Sequence, residues 1–228
     1  MSELPIIARA RQHSEAVAIR AVVGDRRYSE LLARSAAFAS SLLRGDDDLN
    51  EGRVAYLVPA GFDYVLVQWG IWRAGGVAVP LSLSATGPEL EYTLTDSQAQ
   101  CVVVSKAYGD KVAAICKRLG LRLTIVDDFE PTDPQALPTI DTQRRAMILY
   151  TSGTTSKPKG VVTTHANIQA QIETLVEAWQ WQSTDRIPLF LPLHHVHGII
   201  NVMSCALWSG ATIEPFPHFA MDAVLSRV

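Results

Sequence analysis

Ala146-Met147-Ile148-Leu149-Tyr150 is an apolar run that breaks into Thr151-Ser152-Gly153-Thr154-Thr155-Ser156-Lys157-Pro158-Lys159-Gly160 and resumes as Val161-Val162. The pattern predicts a strand, a loop of small residues and a second strand. The loop offers five hydroxyls, two glycines and two lysines, with no acidic residue. Glycine lets a backbone approach a ligand closely. Backbone N–H groups in a concave turn, hydroxyl donors and ammonium groups are together the partners that polyphosphate oxygens need. The plain alternative, a solvated Ser/Thr-rich hairpin turn, fits this density of donors poorly. A Walker loop does not fit, because Pro158-Lys159 stands where Gly-Lys is required.

Outward from that loop, short β-branched runs alternate with longer amphipathic stretches, the sequence form of an α/β domain. Ala16 to Val23 reads as a strand, Gly24-Asp25 as a turn, and Arg26 to Tyr28 as the return strand of a hairpin. Ser29 is expected to cap a helix carrying Leu31, Leu32, Ser35, Phe38, Ala39 and Leu42, ended by Gly45. A strand over Gly52 to Leu57, a helix over Asp63 to Ala74 and a strand over Val77 to Leu81 predict a βαβ crossover. Pro88 at the first helical position opens a helix over Glu89 to Asp96, and Cys101 to Ser105 reads as a buried strand. Asp110 to Leu119 and Leu121 to Val126 repeat the helix-then-strand step. Between about 127 and 141 the composition turns to Asp, Glu, Thr and Pro, which predicts a surface connection. Gln169 to Trp181 is expected as a helix whose Ile168, Ile172, Leu175, Val176 and Trp179 face the core. Asp222 to Val228 begins an amphipathic pattern with Val224, Leu225 and Val228 on one face and then stops without a cap.

The chain has 228 residues, which suits one large domain or two small ones. It is 48% hydrophobic and 19% charged, with 20 Lys+Arg against 23 Asp+Glu and a net charge of −3, which excludes disorder and weakens a nucleic-acid reading. No run of about 18 apolar residues is present, so no transmembrane segment is expected. Cys101, Cys116 and Cys205 are too few and scattered for a disulfide framework, and a reducing compartment is the default. The cytoplasm is expected, with mitochondrial or peroxisomal placement left open; Met1 to Arg20 has no apolar secretory core.

The segment Tyr150 to Gly160 resembles the Y-T-S-G-T-T-G-x-P-K-G signature of the adenylate-forming (AMP-binding) enzymes, with Ser156 where glycine is usual. Arg73-Ala74-Gly75-Gly76-Val77-Ala78-Val79-Pro80-Leu81 and Gly52-Arg53-Val54-Ala55 are similar to two further family segments. Leu191-Pro192-Leu193-His194-His195-Val196-His197-Gly198, with Asn201 nearby, resembles the acyl-pocket motif of the malonyl-CoA synthetase branch. The resemblance implies layered sheets with flanking helices, in the N-terminal part of an AMP-binding domain spanning 1–228. The C-terminal small domain and its catalytic lysine are expected beyond Val228, so the chain alone is expected to be inactive and to carry no complete catalytic set.

The implied chemistry is ATP-dependent ligation of a small carboxylic acid to coenzyme A. Thr151, Ser152, Gly153, Thr154, Thr155, Ser156, Lys157, Lys159 and Gly160 would hold the ATP phosphates. Thr155 would reach Mg²⁺ through ATP, and His195 and His197 would meet the acid, malonate or methylmalonate being favoured with medium-chain or aryl acids left open. The plainer alternative has one or two of these imidazoles only hydrogen-bonding near a strand end. Zinc binding by the three histidines is disfavoured, since no Cys, Asp or Glu stands close enough in sequence to complete a shell. His165 reads as a capping or packing residue. The competing reading is a non-catalytic truncated paralogue that binds nucleotide weakly or acts only on protein partners.

Overall fold

A computed structural model describes residues 3–22, 24–151, 157–216 and 219–227. In chain order the regular elements begin with α1 (Pro5–Gln12), β1 (Val17–Ala21), β2 (Gly24–Arg27), α2 (Tyr28–Leu43), β3 (Arg53–Leu57), α3 (Phe62–Arg73) and β4 (Val77–Pro80). They continue with α4 (Gly87–Asp96), β5 (Cys101–Val104), α5 (Gly109–Leu119), β6 (Arg122–Ile125), β7 (Arg145–Thr151), β8 (Lys159–Thr164) and α6 (His165–Trp179). The last are β9 (Arg186–Leu189), a π-helical segment His197–Ser204, α7 (Cys205–Ser209), β10 (Thr212–Pro215) and α8 (Met221–Leu225).

Two sheets form. The larger has the order β6-β5-β3-β4-β7-β8, parallel except for the β7–β8 hairpin. The central strands β3, β4 and β5 are buried on both faces, which is why they read as nearly continuous apolar runs, whereas β6 is half-buried and the edge strand β8 is largely exposed. The two-residue period then sorts side chains between two cores. Val54 and Tyr56 of β3 and Cys101 and Val103 of β5 join the cluster shared with α2, α3 and the second sheet. Ala55, Leu57, Val102 and Val104 face α4 and α5 through Leu90, Leu94, Val112 and Ile115. The smaller sheet, β2-β1-β10-β9, joins residues about two hundred apart in sequence: Ile19 pairs with Ile213, in parallel.

Helix α3 lies inside. Every residue from Tyr64 to Arg73 is buried, the mark of a helix enclosed on all sides. Gly70 permits this, since a Cβ there would stand 2.6 Å from Phe38 Cδ1 of α2. The buried Arg73 donates from Nη1 to Leu32 O at 2.6 Å and Ser35 Oγ at 2.8 Å, tying α3 to α2, and burial lowers its pKa to about 10. Trp72 Nε1 donates to Ala146 O at 2.8 Å, so the same helix is fixed to the base of β7. All three cysteines are unpaired and buried, and burial pushes the Cys205 thiol up to about 12.

The strands from β3 to β8 lie where the pattern places them, and the stretch from 129 to 141 holds no helix or strand. The β1–β2 hairpin forms, but Gly24 and Asp25, expected as its turn, belong to β2, where they pair with Ala21 and Arg20. Several boundaries differ. Helix α2 starts at Tyr28, with Arg27 at its N-cap, rather than being capped by Ser29. Tyr28 is drawn in because its hydroxyl donates to Ala211 O at 2.7 Å and its N–H to Ala16 O at 3.0 Å. Pro88 is the second helical residue of α4, whose N-cap is Thr86 in a capping box with Glu89. Helix α6 starts four residues earlier than expected, capped by Thr164 against Asn167. It buries Ile168 and Ile172, but Trp179 is 49% exposed, because the helix has run past the core by its last turn. In α8 Val224 is buried while Leu225 points outward, and Val228 lies outside the described residues.

Candidate functional site

In parallel sheets a ligand belongs at the carboxyl ends of the strands, where helix N-termini and loops gather. Here the carboxyl ends of β4 and β7 meet the segment that follows β9. Between them opens a cleft of about 800 Å³, lined by Pro80 to Ser82, by Thr86, Pro88, Glu89, Tyr92 and Thr93 of the α4 region, by Tyr150, Lys157 and Pro158, and by His194 and His195. A second cavity of about 620 Å³ adjoins it, walled mainly by apolar groups such as Val58, Tyr64, Phe190, Leu191 and Phe216. Leu81, Ser82, Ser84 and His194 line both.

The phosphate-loop wall is built by the β7–β8 hairpin. Thr151 pairs with Lys159 and Tyr150 with Gly160, closing the ladder at the mouth of the loop. Gly160 is required by space: a Cβ would stand 2.9 Å from Ile148 Cγ2 and 3.2 Å from Tyr150 Cζ. Tyr150 turns its hydroxyl to Asp96 Oδ2 at 2.7 Å, and burial together with that carboxylate raises its pKa. Lys157 lines the cleft, while Thr151, Lys159 and Gly160 form the hairpin's exposed base. Ser152, Gly153, Thr154, Thr155 and Ser156 lie outside the described residues, and with them the Mg²⁺ contact expected of Thr155.

The opposite wall is the histidine segment. Tyr64 of α3 donates from Oη to Leu193 O at 2.7 Å and accepts from Tyr56 Oη at 3.2 Å, so a buried hydrogen-bonded relay fixes the backbone just before His194. Gly198 lets the chain fold back, since a Cβ there would meet Pro192 O at 2.5 Å. The rings of His194 and His195 lie 4.1 Å apart at the cleft. Burial first, and His195 second, lower the pKa of His194 to about 4, so its imidazole is neutral at physiological pH.

His197 stands apart from its neighbours. Its Nδ1 lies 3.3 Å from Asn201 Nδ2, and Asn201 Oδ1 accepts from Gln171 Nε2 of α6 at 2.5 Å. His197 opens the π-helical segment, which packs beside α6, whereas His194 and His195 lie in the turn before it; within the segment Ser204 Oγ donates to Ile199 O at 2.7 Å. Such π-helical segments recur at functional sites. His165 packs edge-on to Trp72 at 5.6 Å, and burial lowers its pKa to about 4, in keeping with a packing role. Sequence reasoning passed over Tyr92, Asp96 and Tyr64, and placed His194 in the acyl-pocket motif without giving it a role. The spacing of Tyr92 and Asp96, four residues apart on a helix immediately after a strand end, carried a usable signal.

With this geometry in place, the comparisons with known proteins agree in one direction. The family described as AMP-binding enzyme matches residues 7–227, and the chain belongs to it. The mitochondrial malonate–CoA ligase of Homo sapiens is 38% identical over 234 residues, covering 98% of this chain and 41% of that protein. Its Mus musculus counterpart is 37% identical over 235 residues, covering 98% and 40%. The crystal structure of ATP-bound MatB from Rhodopseudomonas palustris superposes with a TM-score of 0.87 at 28% identity, covering 99% of this chain and 47% of that one. The chain thus spans about 40% of the length of the curated relatives it matches. These relatives fit the malonyl-CoA synthetase branch to which residues 191–198 pointed. Among the described residues no helix is long and apolar enough to cross a membrane.

Proposed function

We propose that this chain is the nucleotide- and acid-binding part of an ATP-dependent carboxylate–CoA ligase acting on malonate or a close relative such as methylmalonate. One observation carries the reading. The two segments that the family resemblance marks for phosphate and acid, around Lys157 and His195, are far apart in sequence and line one cleft. The relatives named as malonate–CoA ligases support the acid, and the ATP-bound neighbour supports the nucleotide.

The chemistry runs in two balanced steps. A carboxylate oxygen of the acid attacks the α-phosphorus of ATP, the α–β bridging P–O bond breaks, and pyrophosphate leaves with its electron pair. Coenzyme A thiolate then attacks the acyl carbon, expelling AMP and giving the thioester. In the first step negative charge accumulates on the departing pyrophosphate, so fixed donors at the loop lower the barrier. Lys157 and Lys159 supply cationic donors; Ser152, Thr154 and Thr155 would supply hydroxyls. Mg²⁺ enters with ATP as part of the substrate. At the opposite wall His195, exposed at the rim, can donate to a carboxylate, while neutral His194 offers a hydrogen bond without a net charge. Placement in mitochondria follows the named relatives and belongs to the same proposal.

The test is pyrophosphate release from the full polypeptide that carries this sequence, offered malonate, methylmalonate, acetate and a longer acid. ATP-dependent release with malonate or methylmalonate preferred is expected, with Lys159→Ala lowering it far more than it lowers folding stability. Release with none of the acids, or equal loss of activity and stability in Lys159→Ala, would overturn the reading.

A further inference from the structure

We propose that Tyr92, on α4, is a positioning residue that holds the carboxy-terminal limb of the phosphate loop in its working place. The proposal rests on the nucleotide reading above and deepens it. Tyr92 makes two contacts to that limb and one to the strand that enters the loop. Its hydroxyl donates to Pro158 O at 2.8 Å, its ring lies 5.5 Å from Lys157 Nζ, and the same ring stands edge-on to Tyr150 at 6.3 Å. One helical turn further on, Asp96 accepts from Tyr150 Oη at 2.7 Å. Helix α4 therefore grips both limbs of the hairpin from one face.

The chemistry of the limb explains the need for such a grip. The β7–β8 ladder stops at the Thr151–Lys159 pair, so Pro158 is outside it, and its carbonyl finds its partner in a different element. Proline has no N–H with which to extend the ladder. Lys157 needs a resting place that leaves its charge available to an anion. A carboxylate would neutralise it, whereas an aromatic face attracts an ammonium group through the ring quadrupole and leaves it a full cation. Glu89, a carboxylate lining this part of the cleft, is turned to its helix cap, its Oε2 accepting from the Thr86 N–H at 2.7 Å and the Thr86 hydroxyl at 2.8 Å. The platform is stiff: α4 is capped at Thr86 and anchored through buried Leu90 and Leu94. A donor held before the substrate arrives costs no ordering when it binds, which is the advantage of preorganisation.

The experiment compares Tyr92→Phe, which keeps the ring and loses the hydroxyl, with Tyr92→Leu, which loses both, in the full polypeptide that carries this sequence. Steady-state kinetics are read alongside the rate at which an amine-acylating reagent labels Lys157, followed by mass spectrometry. Tyr92→Phe is expected to raise KM for ATP about threefold to tenfold, the worth of one hydrogen bond, with kcat and the KM for the acid within about twofold. Tyr92→Leu should raise KM for ATP further and label Lys157 at least about threefold faster, since the cation has lost its ring. The proposal falls if both variants leave KM for ATP within about twofold, or if ATP and acid parameters decline together in step with thermal stability. Unchanged Lys157 labelling in Tyr92→Leu would also overturn it. If the wild-type protein does not use ATP, the nucleotide reading fails separately, and the labelling rates still decide whether Tyr92 holds the limb.

Discussion

Removing one oxygen atom by Tyr64→Phe should loosen the acid-binding wall from inside the protein. Tyr64 is 3% exposed, and its hydroxyl both donates to Leu193 O and accepts from Tyr56 Oη. Without it a buried carbonyl and a buried hydroxyl lose their partners, and each such orphan costs about 1–3 kcal/mol. The 2.7 Å bond to Leu193 is of ordinary length for two oxygens, and the 3.2 Å bond from Tyr56 is long, so the second counts at the low end. With about 1–2 kcal/mol for the carbonyl and about 1 kcal/mol for the hydroxyl, the sum is about 2–3 kcal/mol, which for a chain of this size lowers Tm by about 4–12 °C. Tyr28→Phe is the matched control. It removes a single buried bond to Ala211 O, away from the cleft, and should cost about 1–2 kcal/mol. Urea denaturation is the assay, reading a lower midpoint at unchanged slope. Because Leu193 precedes His194, Tyr64→Phe should also raise the KM for the acid with little change in that for ATP. A destabilisation no larger than that of Tyr28→Phe, or one below about 0.5 kcal/mol, would refute the reasoning.

Three further outcomes can be checked. His195→Ala should raise the KM for the acid about tenfold, whereas His197→Ala, whose ring is turned to Asn201, should leave it within about twofold; the reverse order in steady-state kinetics would contradict the placement. Gly160→Ala forces a methyl against Ile148 and Tyr150 and should cost about 1–3 kcal/mol by denaturation, with a neutral result showing that the hairpin can give way. His165 and His194 both have folded pKa values of about 4 against an ordinary 6.5, so the unfolded chain binds more protons in that window. Their stabilising contribution is full above about pH 6.5 and is lost as pH falls toward about 4, at up to about 1.4 kcal/mol per pH unit for each imidazole. Replacing each by Asn should flatten the stability profile between those limits, and an unchanged slope in both variants would refute the assignment.

How far the sequence carried the fold depends on where each segment's partners lie. The β3–α3–β4 and β5–α5–β6 units were legible because strand, helix and returning strand pair locally, and burial on both faces makes β3, β4 and β5 largely apolar. β9 and β10 were not, since Arg186–Leu189 and Thr212–Pro215 are short, half-polar, and become strands only through pairing that reaches back to β1. Helix α1 was missed although Pro5 opens it and Ile6, Ile7 and Ala10 share its buried face. At the site, the loop announced itself by composition and His195 by its motif. His197 lies three residues from His194 in sequence, yet a turn ends between them and His197 opens the π-helical segment facing Asn201, a break that no regular period encodes. Tyr64 and Tyr92 act through hydroxyls whose acceptors are backbone carbonyls, and a carbonyl leaves no trace in sequence.

The sequestered sulfur atoms have a practical use. With Cys101, Cys116 and Cys205 all interior, a thiol-directed spin label or dye has little to react with on the native surface. A single introduced cysteine, such as Ser84→Cys on the rim, could then report the local environment of the cleft as ligands are added, without first replacing Cys101, Cys116 or Cys205.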